Sequence, residues 1–69
     1  MKYLIVIEKA KNNYSAYLPD VPGCIATGET IEETKKNITE ALAMHLHGLA
    51  EDGLLSPEVK ATADYVAVY

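Results

Sequence analysis

The sequence contains no tryptophan, no phenylalanine and no arginine, only one cysteine, and two histidines. Each shortage excludes something. One cysteine cannot close an internal disulfide, and without a Cys/His cluster of zinc-like spacing there is no metal staple either, so no cofactor or metal is expected. A chain of 69 residues buries only roughly 60% of the surface its unfolded form exposes, which leaves association with another chain as the means of adding stability. Six lysines against ten acids give a net charge of −4. Phosphate neutralisation needs a cationic face that this balance does not supply, so direct DNA binding is not expected. An acidic chain suits a basic protein partner, because opposite charges steer encounter. The apolar run between Lys2 and Glu8 is five residues long, too short for a signal core or a membrane span, and the expected location is the cytoplasm.

What is present reads as short strands around one helix. "YLIVIE", residues 3–8, is β-branched and aromatic and apolar on both faces, as a central strand would be. A polar turn follows, in which Asn12 or Asn13 can take positive φ, and "YSAYL", residues 14–18, alternates as the antiparallel return. "PDVPG" then breaks the chain: Pro19 and Pro22 fix φ, while Gly23 and, further on, Gly28 supply permissive turns. "CIATGE", residues 24–29, reads as a third strand. Thr30 with Glu33 forms a capping box, each side chain serving the other's backbone N–H, and Glu32 and Glu33 suit the positive end of a helix. Ile31, Lys35, Ile38, Leu42, His45 and Leu49 recur at helical spacing as one stripe, and Gly53 and Pro57 mark the stop beyond Asp52. "ADYVAVY", residues 63–69, alternates as a fourth strand.

The expected fold class is therefore α+β in the order β-β-β-α-β. A right-handed crossover would place the last strand beside the first, in a mixed four-stranded sheet of order 3-2-1-4 with the helix on one face. One helix covers one face only, yet the first and last strands are apolar on both, so a second copy of the chain, as a dimer or tetramer, is expected over the other face. The tyrosines suit such an interface, being apolar at one end and polar at the other. Tyr3, Tyr65, Val66, Val68 and Tyr69 are the interface candidates.

No residue set makes an enzyme. His45 and His47 are two apart on a helix and point nearly opposite ways, so they cannot share a ligand sphere; the helical wheel puts His45 at the core edge and His47 in solvent. Glu8, Asp20 and Asp64 fall near strand ends, where gathered carboxylates could hold Mg²⁺ for a minimal nuclease, but no phosphate loop accompanies them. Cys24 lacks a neighbouring base and reads as a small buried hydrophobe.

With these residues in place, the stretch "YSAYLPDVPGCIATGETIEETKKNITEAL" resembles the HicB family, the antitoxin halves of bacterial HicA–HicB toxin–antitoxin pairs. The family pattern is matched at Tyr14, Pro19, Asp20, Pro22, Gly23, Cys24, Gly28, Glu29, Thr30, Glu33, Asn37 and Ala41, with Thr34 standing where the family usually has alanine. The resemblance implies a degraded ribonuclease-H-like fold without catalysis, and a partner: a small basic HicA-like toxin that cleaves mRNA with a histidine and is inhibited by masking of its active site. Many HicB proteins continue into a DNA-binding domain, whereas this sequence stops at Tyr69; the expectation is a single HicB-like domain over residues 1–69 with no C-terminal DNA-binding domain. Two other readings stay open, an orphan oligomeric scaffold and the Mg²⁺-dependent nuclease.

Overall fold

The computed structural model describes all of the chain, Met1–Tyr69. Three short strands, β1 (Val6–Lys9), β2 (Tyr14–Tyr17) and β3 (Ile25–Gly28), are followed by one helix, α1 (Ile31–Glu51). They form a three-stranded antiparallel sheet of order β1-β2-β3, with Ile7 opposite Ala16 and Ala16 opposite Ala26. The β1–β2 turn is closed by the Ala10 N–H donating to the Asn13 carbonyl at 2.8 Å, and neither asparagine needs positive φ.

The connection from β2 to β3 is compact. The Val21 N–H donates to the Leu18 carbonyl and the Cys24 N–H to the Val21 carbonyl, which folds Val21 inward to 1% exposure. Pro19 and Pro22 stay exposed, and Gly23 sits at φ 86°, a conformation a β-carbon disfavours. At Gly28 the constraint is space: a β-carbon there would lie 2.6 Å from Thr34 Oγ1 and 2.7 Å from the Thr34 backbone nitrogen. This glycine lets β3 run directly against the first turn of α1.

The helix start is held from several sides. Thr30 Oγ1 accepts from the Glu33 N–H at 3.0 Å, as the capping box requires, but Glu33 Oε1 reaches the Glu29 N–H at 3.5 Å instead of that of Thr30. Thr34 Oγ1 donates to the Thr30 carbonyl, and Asn37 Nδ2 donates to the Thr27 carbonyl at 2.8 Å, tying α1 to β3. The helix closes at Asp52, with Gly53 at φ 72° beyond it.

The core lies between the sheet and the first half of α1. Ala16, Leu18, Val21, Cys24 and Ile38 are buried, with Tyr3, Ile5, Ile7, Ala26, Ala41 and Leu42 packed around them. The stripe expected to continue through His45 loses its cover there, and His45 is exposed instead of sitting at the core edge. The reason is length. Four-residue strands span about 13 Å, whereas the 21-residue helix spans about 31 Å. Its second half overhangs the sheet.

The expected fourth strand is absent. The α+β class holds, but the element order is β-β-β-α, not the β-β-β-α-β of a degraded ribonuclease-H-like fold, and there is no mixed sheet of order 3-2-1-4. Residues 63–69 leave the body as an unpaired tail. Two anchors explain its course: the Tyr3 hydroxyl donates to the Pro57 carbonyl at 2.6 Å, and the Asp20 carboxylate accepts from the Lys60 and Ala61 N–H groups, each at 3.0 Å. Asp20 belongs to the β2–β3 connection, on the opposite side of β1 from its open edge. The chain is thus led across the end of the sheet, away from the place where a fourth strand would pair. The radius of gyration is 13.6 Å, against about 11 Å for a compact chain of this length.

Candidate partner-binding surface

The sheet has one covered face and one open face, and the register decides what the open face shows. Ile7, Ala16 and Ala26 stand in one row under the helix. With side chains alternating along each strand, the adjacent row, Val6, Tyr17 and Ile25, faces away from it. Tyr17 is 41% exposed and Ile25 is 72% exposed, so the row forms an apolar band across three strands. The next row, Glu8, Ser15 and Thr27, is polar. Ile25 was not singled out from the sequence, although its position next to buried Cys24 in a strand was the available signal: period 2 puts the two on opposite faces.

Of the five interface candidates, only Tyr3 belongs to the body, half-buried against the core and bonded to Pro57. Tyr65, Val66, Val68 and Tyr69 lie on the tail, between 86% and 114% exposed. The structure therefore does not bring the five together; it separates one anchor from four free tail side chains. A second apolar feature is an open groove of about 550 Å³ between α1 and residues 3–7, which lead into β1, lined among others by Ile5, Ile7, Ile31, Ile38 and Leu42.

The three acids considered for Mg²⁺ are each elsewhere. Glu8 is exposed on β1, Asp20 is engaged by the Lys60 and Ala61 N–H groups, and Asp64 accepts from the Tyr65 N–H at 2.7 Å. No three His, Cys, Asp or Glu side chains are grouped so that they could hold a metal ion. His47 Nε2 lies 2.6 Å from Glu51 Oε1, one helical turn on, with both side chains mostly in solvent. Cys24 is buried, and loss of solvation pushes its thiol above the ordinary value near 9.0, which disfavours the nucleophilic thiolate. No helix is long and apolar enough to cross a membrane. What this surface offers is contact: an apolar band, an apolar groove beside an open strand edge, and a tail rich in valine and tyrosine.

Known proteins place the chain in a family. A family model described as HicB-like antitoxin of bacterial toxin–antitoxin system matches residues 3–68. A 14.9 kDa protein from the rep–hol intergenic region of Haemophilus phage HP1 is 38% identical over 66 residues, which is 96% of this chain and 50% of that protein. A UPF0150 protein of Helicobacter pylori strain J99 is 43% identical over 49 residues, 71% of this chain and 68% of that one. The chain thus spans half the length of the phage relative and about two thirds of the bacterial one. Among solved structures, one chain of the HicA3 and HicB3 toxin–antitoxin complex superposes with a TM-score of 0.70 at 35% identity, covering 86% of this chain and 70% of that one. This chain belongs to the HicB-like antitoxins of bacterial toxin–antitoxin systems, a family of antitoxins and not of enzymes.

Proposed function

We propose that this chain binds a small basic HicA-like toxin, covers the toxin's RNA-cleaving site, and works in the cytoplasm as a homo-oligomer. The observation that carries the reading is the likeness to a chain of the HicA3 and HicB3 complex, which extends over 86% of this chain. The chemistry of the chain agrees with it. A net charge of −4 favours approach of a cationic partner, and the Val6, Tyr17 and Ile25 band offers an apolar centre for a protein contact. Contact with DNA forms no part of the reading, since six lysines are outnumbered by ten acids. The four tail residues Tyr65, Val66, Val68 and Tyr69 serve self-association, and Tyr3 supports them by holding the segment before the tail.

The test uses the full chain and the protein encoded beside it. Titration by calorimetry yields a stoichiometric complex whose association rate falls as salt is added, and RNA cleavage by the neighbour stops at equivalence. Unchanged cleavage at excess antitoxin, with no heat of binding, overturns the reading.

A further inference from the structure

We infer that the tail is an exchanged strand: residues 65–69 of one copy add to the open edge of β1 in a second copy and lie along the groove beside α1. This deepens the self-association stated above and rests on it. Four observations carry it. First, the tail has the composition and period of a strand, Tyr65 and Tyr69 alternating with Val66 and Val68, but it has no partner and is almost fully exposed. Second, the two edges of the sheet differ. On β3, the Thr27 carbonyl is occupied by Asn37 and the strand is bounded by Gly28 and Glu29. β1 carries Glu8 and Lys9 in its second half, but its first half, Val6 and Ile7, and residues 3–5 leading into it present no charge and no proline, the devices that normally protect an edge from another strand.

Third, the ground beside that edge is apolar. The groove floor of Ile5, Ile7, Ile38 and Leu42 can take one face of an added strand, while the edge supplies backbone donors and acceptors. Fourth, the chain's own tail is turned away from its own edge by the Tyr3–Pro57 and Asp20–Ala61 hydrogen bonds. The eight residues beyond Ala61 reach about 26 to 29 Å when extended, enough to cross to a neighbour. Tail and edge belong to the same sequence, so two copies satisfy each other reciprocally about a two-fold axis without any other chain.

The experiment is light scattering on the full chain without toxin, together with amide hydrogen exchange followed as a function of concentration. The expected result is a mass of twice 7.5 kDa, with the amides of residues 65–69 protected at high concentration and exchanging freely on dilution. Val66→Pro and Ala67→Pro sample both parities of the strand, so one of them deletes an N–H from the ladder, and that variant self-associates at least about tenfold more weakly. Both positions are exposed in the single chain, so its fold is unaffected and its circular dichroism unchanged. A wild-type chain that stays monomeric overturns strand exchange and self-association together. A dimer whose tail amides exchange freely, or that tolerates both prolines, overturns strand exchange while leaving self-association through the open sheet face standing.

Discussion

Gly28→Ala places a methyl group where the structure leaves no room, and two opposing effects can be weighed for it. Gly28 has no positive φ, so alanine is conformationally allowed there, and restricting the unfolded chain would stabilise the fold by about 0.4 to 1 kcal/mol. Against this, the new β-carbon meets the Thr34 nitrogen at 2.7 Å, where ordinary contact begins at 3.4 Å. The difference, 3.4 − 2.7 = 0.7 Å, must come from movement of the helix backbone, because the nitrogen cannot rotate away as a side chain would. That movement pulls on the Asn37 hydrogen bond to the Thr27 carbonyl, 2.8 Å long, and on the packing of Ile38 one turn further. Overpacking of this kind costs about 1 to 3 kcal/mol, so strain wins, with a net loss of roughly 1.5 kcal/mol. In a domain of this size that lowers the melting temperature by about 6 to 12 °C. Adding Thr34→Ala removes the 2.6 Å contact with Oγ1 but not the 2.7 Å contact with the backbone, so the double variant recovers only part of the loss. Thermal unfolding by circular dichroism measures both. A Gly28→Ala melting temperature within about 2 °C of wild type, or full recovery in the double variant, would refute the reasoning.

Asp20→Ala removes the acceptor for the Lys60 and Ala61 N–H groups; it is expected to cost about 1 to 2 kcal/mol and to speed exchange of those two amides selectively, and uniform rates would count against the anchor. Cys24 gives a pH dependence. Its folded thiol is held above its ordinary value near 9.0, so the unfolded chain ionises first and binds fewer protons; stability is untouched below that value and falls as pH rises past it, by up to about 1.4 kcal/mol per pH unit. Cys24→Ala should show a shallower fall in urea melts over the same range, and an identical slope would refute the assignment. Ile25→Lys, at a side chain 72% exposed, should leave stability within about 0.5 kcal/mol yet weaken binding of the neighbouring gene's product tenfold or more; calorimetry that finds unchanged affinity would remove the open band from the contact surface.

Features written in a few adjacent residues could be read directly from the sequence. The Thr30 cap, the acids that follow it and the stop at Gly53 are local signals, because each reports a backbone group satisfied within one turn. Burial of Cys24 and the turn at Pro19 to Gly23 were likewise visible, since φ preferences and alternation act over short distances. The errors began where an outcome depended on the length of a second element. His45 follows Ile38 and Leu42 in helical phase, and phase is all a wheel records. Whether a sheet reaches that far along the helix is set by strands of four residues, which the strand expected over residues 3–8 overstated.

The tail shows the same limit more sharply. Alternation of tyrosine and valine states that residues 65–69 favour an extended, paired backbone, but it carries no information about which edge they pair with. A right-handed crossover supplied an edge by topology, on the assumption that the chain after the helix was free to turn back. Two polar contacts remove that freedom. Tyr3, counted at first among surfaces for a partner, spends its hydroxyl on the Pro57 carbonyl, and Asp20, weighed as a metal ligand, holds the next turn of chain by its backbone. Neither role is visible from residue type, because each joins positions at least 40 residues apart. Yet these anchors convert a segment with strand chemistry into one that its own sheet does not receive. An unpaired tail with strand alternation and a β1 edge that no strand of its own chain covers are the two halves of the proposed contact, and strand exchange would bring them together only between two molecules.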